Sequence, residues 1–263
     1  MTIASYCMFP RRALLRRVIA RWATKTVAAL LVGITQIGCD KADAPKPQKT
    51  LLPPVLGSGS IKGHVRLVGE PPGMKEILND ICHKGAGPLT EESVVVNPDG
   101  TLRNVFVYVT GATASSGEAN AEALLDQINC QYVPHVIGVQ VGQTLRIKSS
   151  DPTMHNVRFA PKHAEAFNLS MTDAGQSSAV TFSSPEFIRV KCDVHPWMTA
   201  YIGVFDSPFF QATGDGGAFE IARLPVGKYT LHAWHETYGT LDREVDIVDD
   251  TPVTIDFEYR GPQ

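Results

Sequence analysis

The sequence predicts an all-β protein of sandwich type. Long amphipathic helical patterns are nearly absent, and short runs rich in Val, Ile, Tyr and Phe recur along the chain. Those runs are punctuated by 22 Gly and 18 Pro, the residues that turn a chain between strands. At 263 residues the chain is longer than one small domain needs, so two sandwiches are expected once a targeting segment is set aside.

That segment comes first. Met1 to Cys39 holds no acidic residue, while Arg11, Arg12, Arg16, Arg17, Arg21 and Lys25 precede an apolar run from Val27 to Gly38. A basic flank ahead of an apolar run too short to span a bilayer reads as an export signal. Gln36-Ile37-Gly38-Cys39 resembles a bacterial lipoprotein box, which implies lipidation at Cys39 and a membrane anchor, although Gln36 stands where the family usually has Leu. Simple secretion with cleavage after Ala44 is the alternative; either route exports the chain to the periplasm or cell envelope. Without residues 1–39, 18 basic residues face 27 acidic ones, a formal net charge of −9 that excludes a nucleic-acid binder and suits steering toward a basic partner.

Residues 40–60, rich in Pro, Lys and Ala and ending Gly57-Ser58-Gly59-Ser60, read as a flexible tether. Ile61-Lys62-Gly63-His64-Val65-Arg66-Leu67 then alternates like an antiparallel strand, as does Val105 to Val109 after the turn Asn97-Pro98-Asp99-Gly100. A Ser/Ala/Gly/Glu-rich connector from Gly111 to Ala121 breaks the pattern and marks a change of domain. Beyond it come Tyr132 to Val141, a Gly142-Gln143 turn, Thr144 to Lys148, Val180 to Phe182, Phe187 to Val190 and Ala200 to Phe205, all strand-like.

The chemistry concentrates in Val190-Lys191-Cys192-Asp193-Val194-His195-Pro196-Trp197-Met198. Cys192, His195 and Met198 offer a thiolate, an imidazole and a thioether, three of the four groups of a trigonal His₂Cys copper site with a weak axial Met. His155, between strand-like segments upstream, is the best candidate for the second imidazole. Pro196 stiffens the loop and Trp197 places an aromatic face beside His195. The remaining cysteines, Cys82 and Cys130, suit a disulfide in an oxidising compartment, which the chain-entropy view values at roughly 4 kcal/mol. His232 and His235 lie three apart, on opposite faces of a strand, and so are not joint ligands. His83, His135 and His163 read as structural imidazoles. No Cys-x-x-Cys-His haem motif, catalytic triad, P-loop or dinucleotide fingerprint is present, nor the His-Cys-His or His-x-His pairs that multicopper enzymes need.

From about Cys130 to Phe205 the chain resembles the cupredoxins, and among them the amicyanins. The resemblance rests on Tyr132 and Pro134 leading to Val139-Gln140-Val141-Gly142-Gln143-Thr144, on His155-Asn156-Val157 with Phe159, and on the Cys192 to Met198 loop. It implies a Greek-key sandwich over 114–206 with one type 1 copper, His155, Cys192 and His195 as strong ligands and Met198 as the axial one. It further implies that the Asn156 amide ties the ligand loops together. Lys148-Ser149-Ser150 departs from the family, which often has Asn after that strand, and this bears on how the loop is pinned. Electrons would pass through the exposed edge of His195, ringed by Val194, Pro196 and Trp197. Thr213 to Ile221 with Leu224 to Leu231 resembles the final half of carboxypeptidase-regulatory-like, prealbumin-type sandwiches, and the strands at Ile61 to Leu67 and Asn104 to Thr110 resemble their first half. The expected organisation is therefore a second sandwich split into 61–113 and 207–260 with the copper domain inserted. Two unrelated β-extensions flanking that domain are the alternative.

The function these resemblances imply is non-enzymatic, namely single-electron transfer in the envelope between a donor and an acceptor such as a cytochrome c or a dehydrogenase. Copper storage, delivery or sensing, and a structural or adhesion sandwich, are the alternatives.

Overall fold

The computed structural model describes residues 56–77, 88–112, 121–163 and 165–261. The leader, Cys39, Cys82, His83 and most of the tether lie outside the described residues, as does 113–120 of the connector. Nineteen strands are described. The first are β1 (Gly59–Val68), the short pair β2 (Glu76–Ile77) and β3 (Leu89–Thr90), and β4 (Phe106–Thr110). A continuous stretch follows with β5 (Ala123–Ile128), β6 (Gln131–Val133), β7 (Val136–Gln140), β8 (Leu145–Ser149), β9 (His155–Phe159), β10 (Phe167–Met171), β11 (Ser177–Val180), β12 (Glu186–Lys191) and β13 (Thr199–Phe205). The last are β14 (Phe210–Ala212), β15 (Ala218–Leu224), β16 (Gly227–His235), β17 (Gly239–Ile247), β18 (Val253–Thr254) and β19 (Phe257–Arg260), with a 3₁₀ turn at Asp215–Gly217 before β15.

The expected all-β sandwich architecture is borne out, and it occurs twice. Strands β5 to β13 form an inner sandwich, its sheets ordered β10-β9-β12-β13-β7 and β11-β8-β5-β6. Period-two alternation sends Ile188 and Val190 of β12, and Ala200, Ile202 and Val204 of β13, into one core with Val157, Phe159, Leu145 and Ile147. A separate core of Ile61, Val65, Leu67, Val107, Leu231, Phe257 and neighbours belongs to the outer sandwich. Its sheets are β15-β1-β18, with β19 also on β1, and β14-β4-β16-β17. The outer sandwich thus takes β1 and β4 from one side of the inner stretch and β14 to β19 from the other.

The two meet along an aromatic seam. Trp234 stacks on Phe187 at 4.5 Å, Phe187 on Phe106 at 5.6 Å, and Phe205 on Phe210 at 4.4 Å. Gly138 and Gly203, paired across β7 and β13, make room for these rings. A Cβ on Gly138 would fall 2.4 Å from the Phe210 ring, and one on Gly203 2.8 Å from Phe205. Behind the seam, buried His135 bonds through Nε2 to Glu236, the residue just after β16, and has Glu92 3.9 Å from its Nδ1, a tertiary arrangement its isolated place in sequence does not reveal.

Several strands were not foreseen. Ala123–Ile128, with its Ala-Leu-Leu-Asp-Gln composition, carries no β signal of its own and is a strand because it pairs in parallel with β8. Gly239–Ile247 has mostly exposed polar side chains and is held by nine register pairs to β16. The tether expected to end at Ser60 ends earlier, since Gly59 and Ser60 already pair with β15.

Candidate metal centre

Two segments converge at one end of the inner sandwich. His155 is the first residue of β9, and the Cys192–Met198 loop joins β12 to β13. That loop is closed by two backbone bonds: Met198 N–H donates to His195 O at 2.9 Å, and Cys192 N–H donates to Met198 O at 3.2 Å. His155 Nδ1 lies 3.0 Å from His195 Nδ1, and Cys192 Sγ lies 3.9 Å from the same nitrogen. His155, Cys192, His195 and Met198 are all buried. In a trigonal N₂S site with metal–N near 2.0–2.1 Å and metal–S near 2.3 Å, the donors would stand about 3.6–3.8 Å apart. The Nδ1 pair needs to open by only about half an ångström to reach that separation.

The surroundings pre-set the donors. Asp151 Oδ2 lies 2.9 Å from His155 Nε2, so the ring proton sits on Nε2 and the Nδ1 lone pair faces the site. The same carboxylate accepts the N–H of Asn129 at 2.7 Å and of Cys130 at 2.8 Å. Burial opposes the charge on His155, but its bonding to Cys192 and Asp151 prevails and raises its pKa. Burial likewise opposes ionisation of Cys192, yet the His155 bond and the N–H groups of Asn156, His195 and Val194 outweigh it and hold the thiol pKa below its ordinary value. His195 moves down, through burial first and the neighbouring His155 second, and so stays a neutral donor.

Asn156 spans the His155 and Cys192 segments. Its Oδ1 accepts the Asp193 N–H at 2.6 Å and lies 3.4 Å from Cys192 Sγ, while its Nδ2 donates to Asp193 Oδ2 at 2.9 Å and to Asn168 Oδ1 at 2.6 Å. Tyr132 donates its hydroxyl to Asn156 O at 2.6 Å, which makes the cross-link stiff. Where the Asn after β8 is missing, Ser150 Oγ donates to Asp126 and the Asp151 carboxylate pins the loop instead.

Cys130 Sγ also lies close enough to His155 and His195 to be grouped with them as a metal-binding set. Two observations favour Cys192 over it. Cys130 Sγ approaches His195 Nε2, at 4.0 Å, on the side of the ring away from the Nδ1 convergence. Cys192 is the free cysteine among the described residues, and Cys130 is not. Its expected partner, Cys82, lies outside the described residues.

The expected electron port differs from the structure. His195 is only 5 % exposed, so its ring edge does not face solvent. Cys130 Sγ covers Nε2, and Trp197 packs at 5.2 Å with its indole N–H donated to Cys130 O at 3.0 Å. Of the expected rim, Val194 and Pro196 are exposed and Trp197 is half-buried. Asp151 was missed by sequence reasoning; its only signal is an Asp before Pro in the turn four residues ahead of His155. Met171 was missed too: it pairs with His155 across β10 and β9, but its sulfur is engaged by the Gln127 amide at 2.9 Å. His232 stacks on Tyr108 and bonds Asp242, while His235 is buried elsewhere, so the two do not converge.

No family model matches this chain, and no curated protein does. Among solved structures, a copper-containing nitrite reductase from Thermus scotoductus SA-01 is similar at 20 % identity and a TM-score of 0.31, over 37 % of this chain and 25 % of that one. The chain thus spans about a quarter of that enzyme's length. A reduced Cu(I) form of an amicyanin variant is similar at 22 % identity and a TM-score of 0.30, over 37 % of this chain and 97 % of that one. A purple cupredoxin from Nitrosopumilus maritimus is similar at 19 % identity and a TM-score of 0.28, over 32 % and 99 %.

Proposed function

We propose that this chain is a type 1 copper protein that carries single electrons between redox partners of the cell envelope. The observation that carries the reading is the convergence of His155 Nδ1, His195 Nδ1 and a thiol predisposed to ionise, inside a dry and cross-linked loop cluster. Copper held by His155, Cys192 and His195, with buried Met198 as the fourth donor, would supply a one-electron Cu(II)/Cu(I) couple. The protein's part is to hold the donors in nearly one arrangement for both oxidation states. Asp151 fixes the His155 tautomer, Asn156 ties the Cys192 loop to β9, and burial excludes water as a further ligand.

The same reading includes a Cys82–Cys130 disulfide, lipidation at Cys39 and a donor and acceptor of cytochrome c or dehydrogenase type. It excludes turnover of a substrate. Storage or delivery of copper is disfavoured by the burial of the donors, which obstructs metal exchange.

Equilibrium redox titration of the copper-loaded chain tests the proposal. A reversible one-electron response of about 59 mV per tenfold change in the oxidised-to-reduced ratio is expected, with fast exchange in voltammetry. Loss of copper on reduction, or an irreversible wave, would favour copper handling.

A further inference from the structure

The outer face of the sheet β10-β9-β12-β13-β7 changes character along its strands. At one end its aromatic residues Phe187 and Phe205 meet the outer sandwich. At the other end lies a groove of about 550 Å³ lined by Arg158, Arg189 and Lys191 around Ala160, Ala166 and Asn168, with no acidic residue among the described residues of its wall. Residues 114–206 contain six cations, Arg146, Lys148, Arg158, Lys162, Arg189 and Lys191, and three of them meet here. Arg146 and Lys148 are engaged by Glu122 and Asp126. In the groove only Arg158 has an ion-pair partner, Asp193 at 3.2 Å, and Arg189 and Lys191 have none among the described residues.

Arg158 and Lys191 are direct Cα partners across β9 and β12. Like charges so placed destabilise a sheet, and a bound anionic partner would relieve the repulsion. Lys191 is also covalently joined to Cys192, so the groove begins one residue from the thiol, whereas the His195 edge is covered.

We infer that this groove docks a carboxylate-rich surface of a protein partner, with Arg189 and Lys191 as its main contacts. The inference rests on the electron-carrier reading only for calling that partner a redox protein. Docked there, the partner would lie over the backbone leading to Cys192. The rest of the molecule is acidic, with Asp242, Glu244 and Asp246 exposed on β17, so the net charge that suits a basic partner would repel this one everywhere but at the groove, and the asymmetry would orient the encounter.

The test is a nuclear magnetic resonance titration of the full chain, with and without copper, using a ten-residue poly-L-glutamate peptide. Shifts confined to residues around 158–160, 166–168 and 189–191 are expected. The affinity should fall about tenfold in the Arg189→Glu/Lys191→Glu variant and fall as salt rises. Shifts elsewhere, or equal affinity in a folded variant, would overturn the inference; the wild-type map decides alone if the variant does not fold. Because binding is read without copper as well, an irreversible redox response alongside peptide seated in the groove would sink the carrier reading and leave the docking surface intact.

Discussion

Replacing Asp151 with Ala is expected to weaken copper binding by about 10- to 100-fold, the usual cost of losing the group that orients a ligating histidine. The carboxylate does three things at once. It accepts from His155 Nε2, which commits Nδ1 to the site, and it accepts two backbone N–H groups from Asn129 and Cys130. In the Ala variant the His155 tautomer is no longer fixed, and those donors are left without their partner at about 1–3 kcal/mol each where they stay dry. The turn that holds Cys130 against His195 should loosen with them. Asp151→Asn should fall between, because its amide oxygen can still accept but its NH₂ must face at least one donor. Competition with a Cu(I) chelator measures the effect. An affinity within twofold of the wild type would show that Asp151 is not a positioning residue.

The second large effect is on stability against pH, through His235. Its ring is fully buried between Tyr238 and Tyr259, its Nδ1 accepts the Thr237 N–H at 3.1 Å, and its Nε2 has no hydrogen-bond partner among the described residues. Desolvation lowers its pKa from 6.5 to about 4, with Glu236 opposing the shift and His135 adding to it. The folded state therefore resists a proton that the unfolded chain accepts. The stabilisation is complete above pH 6.5 and is lost as pH falls toward 4, amounting to about 3 kcal/mol over that window. Glu92 works in the other direction: burial raises its pKa, so its contribution fades as pH rises. The difference between wild type and His235→Phe isolates the histidine from Glu92 and from the metal-site groups. Denaturant unfolding of the metal-free protein at pH 7 and pH 4.5 should show a steeper loss for the wild type. Equal losses would mean that His235 is hydrated in solution.

The Cys192–Met198 loop stands out in the sequence because its chemistry is local. A Cys, a His and a Met within seven residues, bounded by two β runs, carry their own spacing, and His155 stands at the start of a strand that alternates clearly. The alternation of Ile61 to Leu67 was similarly explicit, and β1 follows it. What could not be read arises from residues far apart in sequence. The cover over His195 combines Cys130, 65 residues away, with Trp197, and the His135–Glu236 contact spans 101 residues. Ala123–Ile128 shows the same dependence for secondary structure, since its parallel pairing with β8 overrides a helix-like composition. The basic groove exists only because β9 and β12 are neighbours, which places Arg158 opposite Lys191.

The central claim is one copper ion held by Cys192 with His155 and His195. Its most direct test is the visible absorption and electron paramagnetic resonance of the Cu(II)-loaded chain beside Cys192→Ser and Cys130→Ser. The account predicts an intense thiolate-to-copper band with a narrow hyperfine splitting, abolished in Cys192→Ser and retained in Cys130→Ser. A pale spectrum that Cys192→Ser leaves unchanged, or a band that disappears only with Cys130, would contradict it.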